Sequence, residues 1–427
     1  MTPEELAFAD AGQLAAWVRA KELSPVEIVR ALRERAEALN PTINALVTPF
    51  EDAEHRAGEA ERAIVRGDEV GPLHGVPFTI KDSFDTGAIR TSRGSRLFAE
   101  NVPGEDAAAV ARLRAAGAIA LAKSNLPEFA LWWETDNLVF GRTVNPWHGE
   151  RTAGGSSGGE AAAIASGLSP LGIGSDLGGS IRLPAHYCGV VGLKPTHGLV
   201  PLTGHWPDVL LGFMHAGPLA RSVADVSLAL AALAGPDGRD WHAAPAPPPL
   251  PVVSSDGRKP LRVGVLDDHG FGPIDPDVVG AVQDAAAALS DEGHTVVPAA
   301  IPGLERHDWN LLTMTLYSAG AGAFFRGVVG DRWDELHPAL RRRLSTRVES
   351  LDAYLEAEAA VEELRRDLSA FFGEHDLLLC PTGLVAAFEH DALELTIGGE
   401  SCPARATMRA TIPFDLSGSP ALSVPFA

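Results

Sequence analysis

Ser175-Asp176-Leu177-Gly178-Gly179-Ser180-Ile181-Arg182 follows directly on the apolar run Leu171 to Gly174, which reads as a strand. Two glycines before a serine let the backbone turn tightly and aim successive N–H groups at one point, as an oxyanion-stabilising loop requires. An ordinary glycine turn fits this stretch equally well when it is taken alone. Upstream, Gly154-Gly155-Ser156-Ser157-Gly158-Gly159 opens a helix predicted over Ser157 to Ser166. Three readings compete there: a flexible linker, a phosphate cradle at a helix N-terminus, and a nucleophile elbow of the G-x-S-x-G kind. A helix that starts at once argues against the linker. The cradle lacks the Lys-Ser/Thr ending of a P-loop. Further upstream, Lys81 closes Gly75-Val76-Pro77-Phe78-Thr79-Ile80-Lys81-Asp82, where a lone lysine would more often be a solvated edge charge than a base.

Outward from these stretches, short apolar runs alternate with helical periodicities. Strands are predicted at Val76–Ile80 and Ile119–Ala122, and helices at Ala107–Ala116, closed by Gly117, and at Ser222–Ala234, with Ser222 as N-cap. This alternation predicts an α/β fold, a sheet covered by helices. The first seventy residues read as helices. Ser24-Pro25-Val26-Glu27 forms a capping box with proline at the first helical position, and Ile28, Leu32 and Ala36 repeat until Asn40-Pro41 is expected to stop the helix. Ala243 to Pro260 is proline-rich and aperiodic, a surface loop or linker. Beyond it come a strand at Leu261–Val265, a helix at Asp275–Leu289, and late strands at Asp376–Leu379 and Ala421–Val424 of the same architecture.

The formal net charge is −21, with 56 acidic against 35 basic residues. Such a balance repels phosphate backbones and excludes broad nucleic-acid binding. Cys188, Cys380 and Cys402 show no paired spacing, which argues against a disulfide framework and a zinc site. Cys188 is expected to be a small buried hydrophobe. Fourteen histidines lie scattered without ligand spacing. The acidic amino terminus carries no export signal, and the longest apolar candidate for a membrane span, Val209 to Leu233, is broken by His215, Pro218, Arg221 and Asp225. A cytoplasmic enzyme, monomer or homodimer, with no nucleic-acid or membrane partner, is expected.

Lys81, the GGSSGG stretch and the second GGS together resemble the amidase signature family. Gly141-Arg142-Thr143-Val144-Asn145-Pro146-Trp147, Gly189-Val190-Val191-Gly192-Leu193-Lys194-Pro195-Thr196 and Ser222-Val223-Ala224-Asp225 extend the likeness, which is dense from Leu73 to Gly235 and returns at Pro420 to Pro425. The resemblance implies a central mixed β-sheet covered on both faces by helices. It implies one domain over 1–427: a helical region (1–70), a catalytic core (71–235), the loop 243–260, and a C-terminal part of the same unit (261–427). It further implies that Ser180 is the nucleophile, Ser156 a bridging serine on a cis peptide, and Lys81 the terminal base. The amides of Leu177, Gly178, Gly179 and Ser180 would form the oxyanion hole. Family chains commonly add a strand and a helix beyond the segment matching Ala421 to Pro425, so an open sheet edge is expected there.

The chemistry is coherent with those roles. Lys81 must be neutral to accept a proton, and holding a lysine neutral near pH 7 costs about 4 kcal/mol, which burial can supply. The proton would pass from Ser180 through the Ser156 hydroxyl, and water would release the acyl-enzyme, with no metal or other cofactor. Asp176 and Arg182 are expected to brace the loop. The resemblance sets Leu131-Trp132-Trp133 beside the substrate channel. Leu131 and Trp133, with Trp206 and Phe213-Met214, then suggest a pocket for a hydrophobic or aromatic small-molecule amide, although tryptophans packed between helices are nearly as good a reading. Three alternatives are weighed. An esterase of the α/β-hydrolase type using Ser156 leaves Lys81 and Ser180 unexplained. The glutaminase component of a tRNA-dependent amidotransferase typically carries glutamine where Leu183 stands. A scaffold protein would have no use for an intact triad.

Overall fold

The computed structural model describes residues 2–245, 259–267, 270–345 and 350–426. In chain order its strands are β1 (Leu46–Pro49), β2 (Pro77–Lys81), β3 (Ile119–Ser124), β4 (Leu171–Asp176), β5 (Val191–Lys194) and β6 (His215–Ala220). They continue as β7 (Arg262–Val265), β8 (Thr295–Pro298), β9 (Leu377–Leu379), β10 (Glu394–Ile397), β11 (Glu400–Pro403) and β12 (Ala421–Ser423). The main sheet runs in the order β1-β3-β2-β4-β6-β5-β12. Its centre is parallel, with β2 between β3 and β4, and its other pairings are antiparallel. This is the mixed sheet anticipated from the resemblance.

Strand alternation separates its two faces. Phe78 and Ile80 join a core with Leu14, Ile28, Leu73 and Val226. Thr79 points the other way and donates to Glu160, on the helix Gly158–Ala165, at 2.5 Å. That helix packs through Ala161, Ala162 and Ile164 against Ile181, Ala185 and Leu219. It lies so close to β4 that a Cβ added to Gly172 would stand 2.0 Å from Glu160 Oε2.

Three expectations require correction. The first seventy residues are not all helix, because β1 pairs antiparallel with β3; at four residues it is too short and too evenly half-buried to show alternation. Asp376–Leu379 does not join the main sheet: β9 lies parallel to β7 in a separate sheet ordered β8-β7-β9, over a core that includes Leu266, Leu364 and Phe371. β12 does join the main sheet, as its edge strand beside β5. Finally, Asn40-Pro41 does not stop the third helix, which runs Pro25–Ile43 from the predicted Ser24 capping box. Pro41 sits in the last turn, so the one hydrogen bond its missing N–H forfeits lies at the end of the ladder and the turns before it are left intact. Asn44, at φ +53°, ends the helix instead.

Most of the expected loop Ala243–Pro260 lies outside the described residues. The apolar stretch Val209 to Leu233 folds as β6 and the helix Val223–Leu233, and among the described residues no helix is long and apolar enough to cross a membrane.

The Asn40 side chain closes this helix end. Its Oδ1 accepts from the amides of Ala45 and Leu46 at 2.9 and 2.8 Å, and its Nδ2 donates to Leu46 O at 2.8 Å. Asn40→Ala is therefore expected to cost about 1–3 kcal/mol, the penalty for orphaned backbone groups. Urea unfolding should report it as a lower midpoint with an unchanged slope.

Candidate active site

β2 and β4 run parallel with Thr79 opposite Gly172 and Ile80 opposite Ile173, so their C-terminal ends lie side by side. This is where open parallel sheets place reactive groups. Lys81 ends β2 and is fully buried. Its Nζ donates to Ser156 Oγ at 2.7 Å, to Ser175 Oγ at 3.1 Å and to Ser175 O at 3.3 Å. Burial pulls the Lys81 amine down to about 7, against the opposing charges of Asp176 and Glu160. Burial likewise pushes Glu160 up to about 7, in spite of hydrogen bonds from Thr79 and Ser124.

Ser156 follows a cis peptide bond to Gly155. Ser157 ties this loop to the next by donating its amide to Ser180 O at 3.0 Å. The loop Leu177 to Ser180 is fixed from both sides. Tyr317 OH donates to Leu177 O, and Thr411 Oγ1 donates to Gly178 O at 2.8 Å. Asp176 accepts from the amides of Gly179, Ser180 and Ile181 at 2.5, 2.8 and 3.0 Å. Gly179, at φ +116°, makes this turn, and a Cβ there would meet Thr411 Oγ1 at 2.4 Å.

The four amides expected to form an oxyanion hole differ in their partners. The Gly179 and Ser180 amides are taken by Asp176, whereas those of Leu177 and Gly178 make no hydrogen bond among the described residues. Ser180 Oγ likewise has no hydrogen-bond partner there. It opens onto a cavity of about 230 Å³ that Gly155, Leu177 and Gly178 also line.

Beneath the loop, Arg182 reaches Asp176 at 2.9 Å, Asp415 at 2.7 Å and Thr411 O at 2.9 Å, all buried. Burial alone would raise the Asp176 carboxyl, but the Arg182 charge and the hydrogen bonds converging on it hold it far below the usual carboxylate range. Bracing is what these two residues do, as expected. Cys188 is buried, its thiol pushed up by desolvation, and packs with Ile164 and Ala185. Among the histidines nearest the motifs, His74, His186 and His197 each meet a backbone carbonyl, of Ala60, Val385 and Leu211, rather than a site serine.

Leu131 and Trp133 line the cavity, with Trp132 stacked on Trp133 at 3.7 Å between ring centroids. Trp206, Phe213 and Met214 do not line it. Trp206 packs with Phe129 and Phe325 in a separate cluster, and Met214 belongs to the main core. Several site residues were given no role by the sequence reading. Ser175, inside the serine stretch, holds Lys81; outside any motif, Asp415 holds Arg182, and Met314, Tyr317, Arg343 and Arg405 come from the C-terminal part of the chain. The run Arg341-Arg342-Arg343 in so acidic a chain is the one visible signal.

A family model described as Amidase matches residues 27–427. An acylamidase of Rhodococcus erythropolis is 35% identical over 449 residues, covering 100% of this chain and 90% of that protein. A glutamyl-tRNA(Gln) amidotransferase component from Thermosynechococcus vestitus is 34% identical, covering 95% of this chain and 88% of its own length. The solved structure of a bacterial aryl acylamidase of the amidase signature enzymes superposes with a TM-score of 0.86 at 26% identity, covering 98% of this chain and 89% of that one.

Arg182→Met would leave two buried carboxylates without their cation, and a loss of about 3–5 kcal/mol is expected. In the wild type the depressed Asp176 carboxyl keeps its stabilisation until pH falls well below the ordinary carboxylate range, whereas in the variant burial without the cation raises both carboxyls, so protonation relieves the variant as pH falls from neutral. The gap between wild type and variant in thermal unfolding should accordingly narrow toward pH 4.

Proposed function

Because the chain belongs to the amidase signature family, whose relatives act on amide C–N bonds, we propose that it hydrolyses a carboxylic amide to acid and amine or ammonia through Ser180, Ser156 and Lys81. One observation carries this reading: a fully buried lysine amine 2.7 Å from Ser156 Oγ, at strand ends beside the cavity onto which Ser180 opens. A neutral amine has two hydrogens and one lone pair. Ser175 O and Oγ take the hydrogens, and the lone pair is left for the Ser156 hydroxyl. Ser156 in turn accepts the Ser180 proton as Ser180 Oγ attacks the carbonyl carbon. The carbonyl oxygen becomes an oxyanion, for which the unoccupied amides of Leu177 and Gly178 are the donors. The proton returns to the leaving nitrogen, the C–N bond breaks, and water repeats the sequence on the acyl-enzyme to free the acid.

Leu131, Trp132, Trp133, Met408 and Ile412 give the cavity an apolar wall, which supports a hydrophobic or aromatic substrate. The amidotransferase relatives raise a glutaminase reading. Against it, no aspartate or glutamate among the described lining residues would receive the ammonium of glutamine. Three unpaired cysteines favour a reducing, cytoplasmic setting.

Ser180→Ala should abolish both amide hydrolysis and covalent labelling by a fluorophosphonate, whereas Ser157→Ala should stay labelled. Label that maps to Ser156 and survives Ser180→Ala would overturn the assignment. A second expectation concerns pH. Below about 7 the Lys81 amine is protonated and cannot accept, so the rate should climb as pH rises through that value. Lys81→Ala should lose about 10²–10⁴-fold at neutral pH together with that ascending limb. A Lys81→Ala enzyme with near-wild-type rate at pH 7, or a histidine variant as dead as Ser180→Ala, would sink the relay.

A further inference from the structure

The cavity beside Ser180 runs against the charge of the whole molecule. Acids outnumber bases by 56 to 35 in the chain, yet Arg342, Arg343 and Arg405 line the cavity and no described acidic residue does. Arg341, their neighbour on the helix Pro338–Leu344, has a carboxylate partner, Asp334 at 3.5 Å. Arg343 has neither a hydrogen bond nor an ion pair among the described residues, although it is half-buried. Its electrostatic neighbours are the Tyr317 phenol and a second guanidinium, Arg405, which repels it. Arg405 Nη1 meets the Met314 thioether at 2.8 Å, and a thioether is a weak acceptor. Arg342 lies over the Trp132 ring at 5.8 Å.

The carbonyl end of the helix eases the charges of Arg342 and Arg343. It does not account for Arg405, which arrives from the segment Ala404–Met408 and converges on the same space. Half-buried guanidiniums gathered without a carboxylate repel one another, and an anion between them relieves that cost. Their planar forks match a carboxylate in two-point contact. The apolar side chains Leu131, Trp132, Trp133, Met408 and Ile412, which line the same cavity, call for an organic body beside that carboxylate. At about 230 Å³ the space holds a single ring or a short chain.

Resting on the Ser180 reading, we propose that the substrate is a compact amide carrying a carboxylate remote from the scissile bond, received by Arg343 and Arg405, and carrying no ammonium group.

Matched pairs test it. On the acyl side, 4-carbamoylbenzoate is compared with neutral terephthalamide; on the amine side, 4-acetamidobenzoate is compared with acetanilide. In at least one pair the anion should be favoured about 10–100-fold in kcat/KM, chiefly through KM, the worth of a charge-assisted hydrogen bond. Arg343→Gln should collapse that ratio, and Arg343→Lys should keep part of it. Arg405→Gln gives an independent reduction should Arg343→Gln fold poorly. A binding measurement separates this inference from the catalytic one, by calorimetric titration of Ser180→Ala with 4-carbamoylbenzoate and terephthalamide. Tighter binding of the anion, lost on adding Arg343→Gln, upholds the anion site even if no amide in the panel is hydrolysed. Hydrolysis of the neutral amides at equal or better efficiency, with no preference in the titration, overturns the anion site and leaves the amidase reading standing.

Discussion

The Asp176 carboxylate, sealed from water at the end of β4, is the hub on which the site is assembled. A buried carboxylate is tolerable only if its lone pairs are filled by strong donors. Three amides of the serine loop and the Arg182 fork fill them. Satisfying one charge therefore sets the backbone of Gly179 and Ser180. Because peptide units are planar, the Leu177 carbonyl held by Tyr317 fixes the direction of the Gly178 N–H, and the Gly178 carbonyl held by Thr411 reinforces that of the Gly179 N–H. The geometry of the loop follows from electrostatic necessity in the layer beneath it.

The same reasoning explains the glycines of β4. Thr79 and Glu160 occupy the space that a side chain at position 172 would fill, and Ser157 presses on position 174. The sheet surrenders side-chain packing so that a polar cluster can lie against it. The lysine beside that cluster is kept close to its neutral form because no water reaches it, with the Asp176 and Glu160 charges limiting the shift.

Much of this was legible in the sequence where a local pattern controlled the outcome. The Ser24 capping box, the strand that runs into Lys81, the helix that opens at Gly158-Gly159 and the Ser222 cap all lie within a residue of where short-range rules put them. Much of what escaped depended on partners distant in the chain; Asn40, whose partners Ala45 and Leu46 are near neighbours, is the local exception. Pro41 failed as a stop because the Asn40 side chain takes over the helix end, β1 exists because β3 is there to pair with it, and Trp206 packs inward because Phe129 and Phe325 surround it. The serine loop could be marked, but not which of its amides Asp176 would claim. The arginines of the cavity come from helices with no motif, and the sequence reading did not single them out.

Arg182 has a second carboxylate, Asp415, and a carbonyl, Thr411 O, both supplied by a segment far along the chain, on separations of 233 and 229 residues. A polypeptide is made from its amino end, so Ser180 leaves the ribosome long before these partners exist. In the interval the Arg182 fork holds Asp176 alone, and Thr411 is absent from beneath Gly178. Order in the serine loop is consequently one of the last properties the nascent chain can acquire. An early-folding amino-terminal half would carry the serines without the support that positions them, which keeps an unfinished chain from meeting substrate with a finished site.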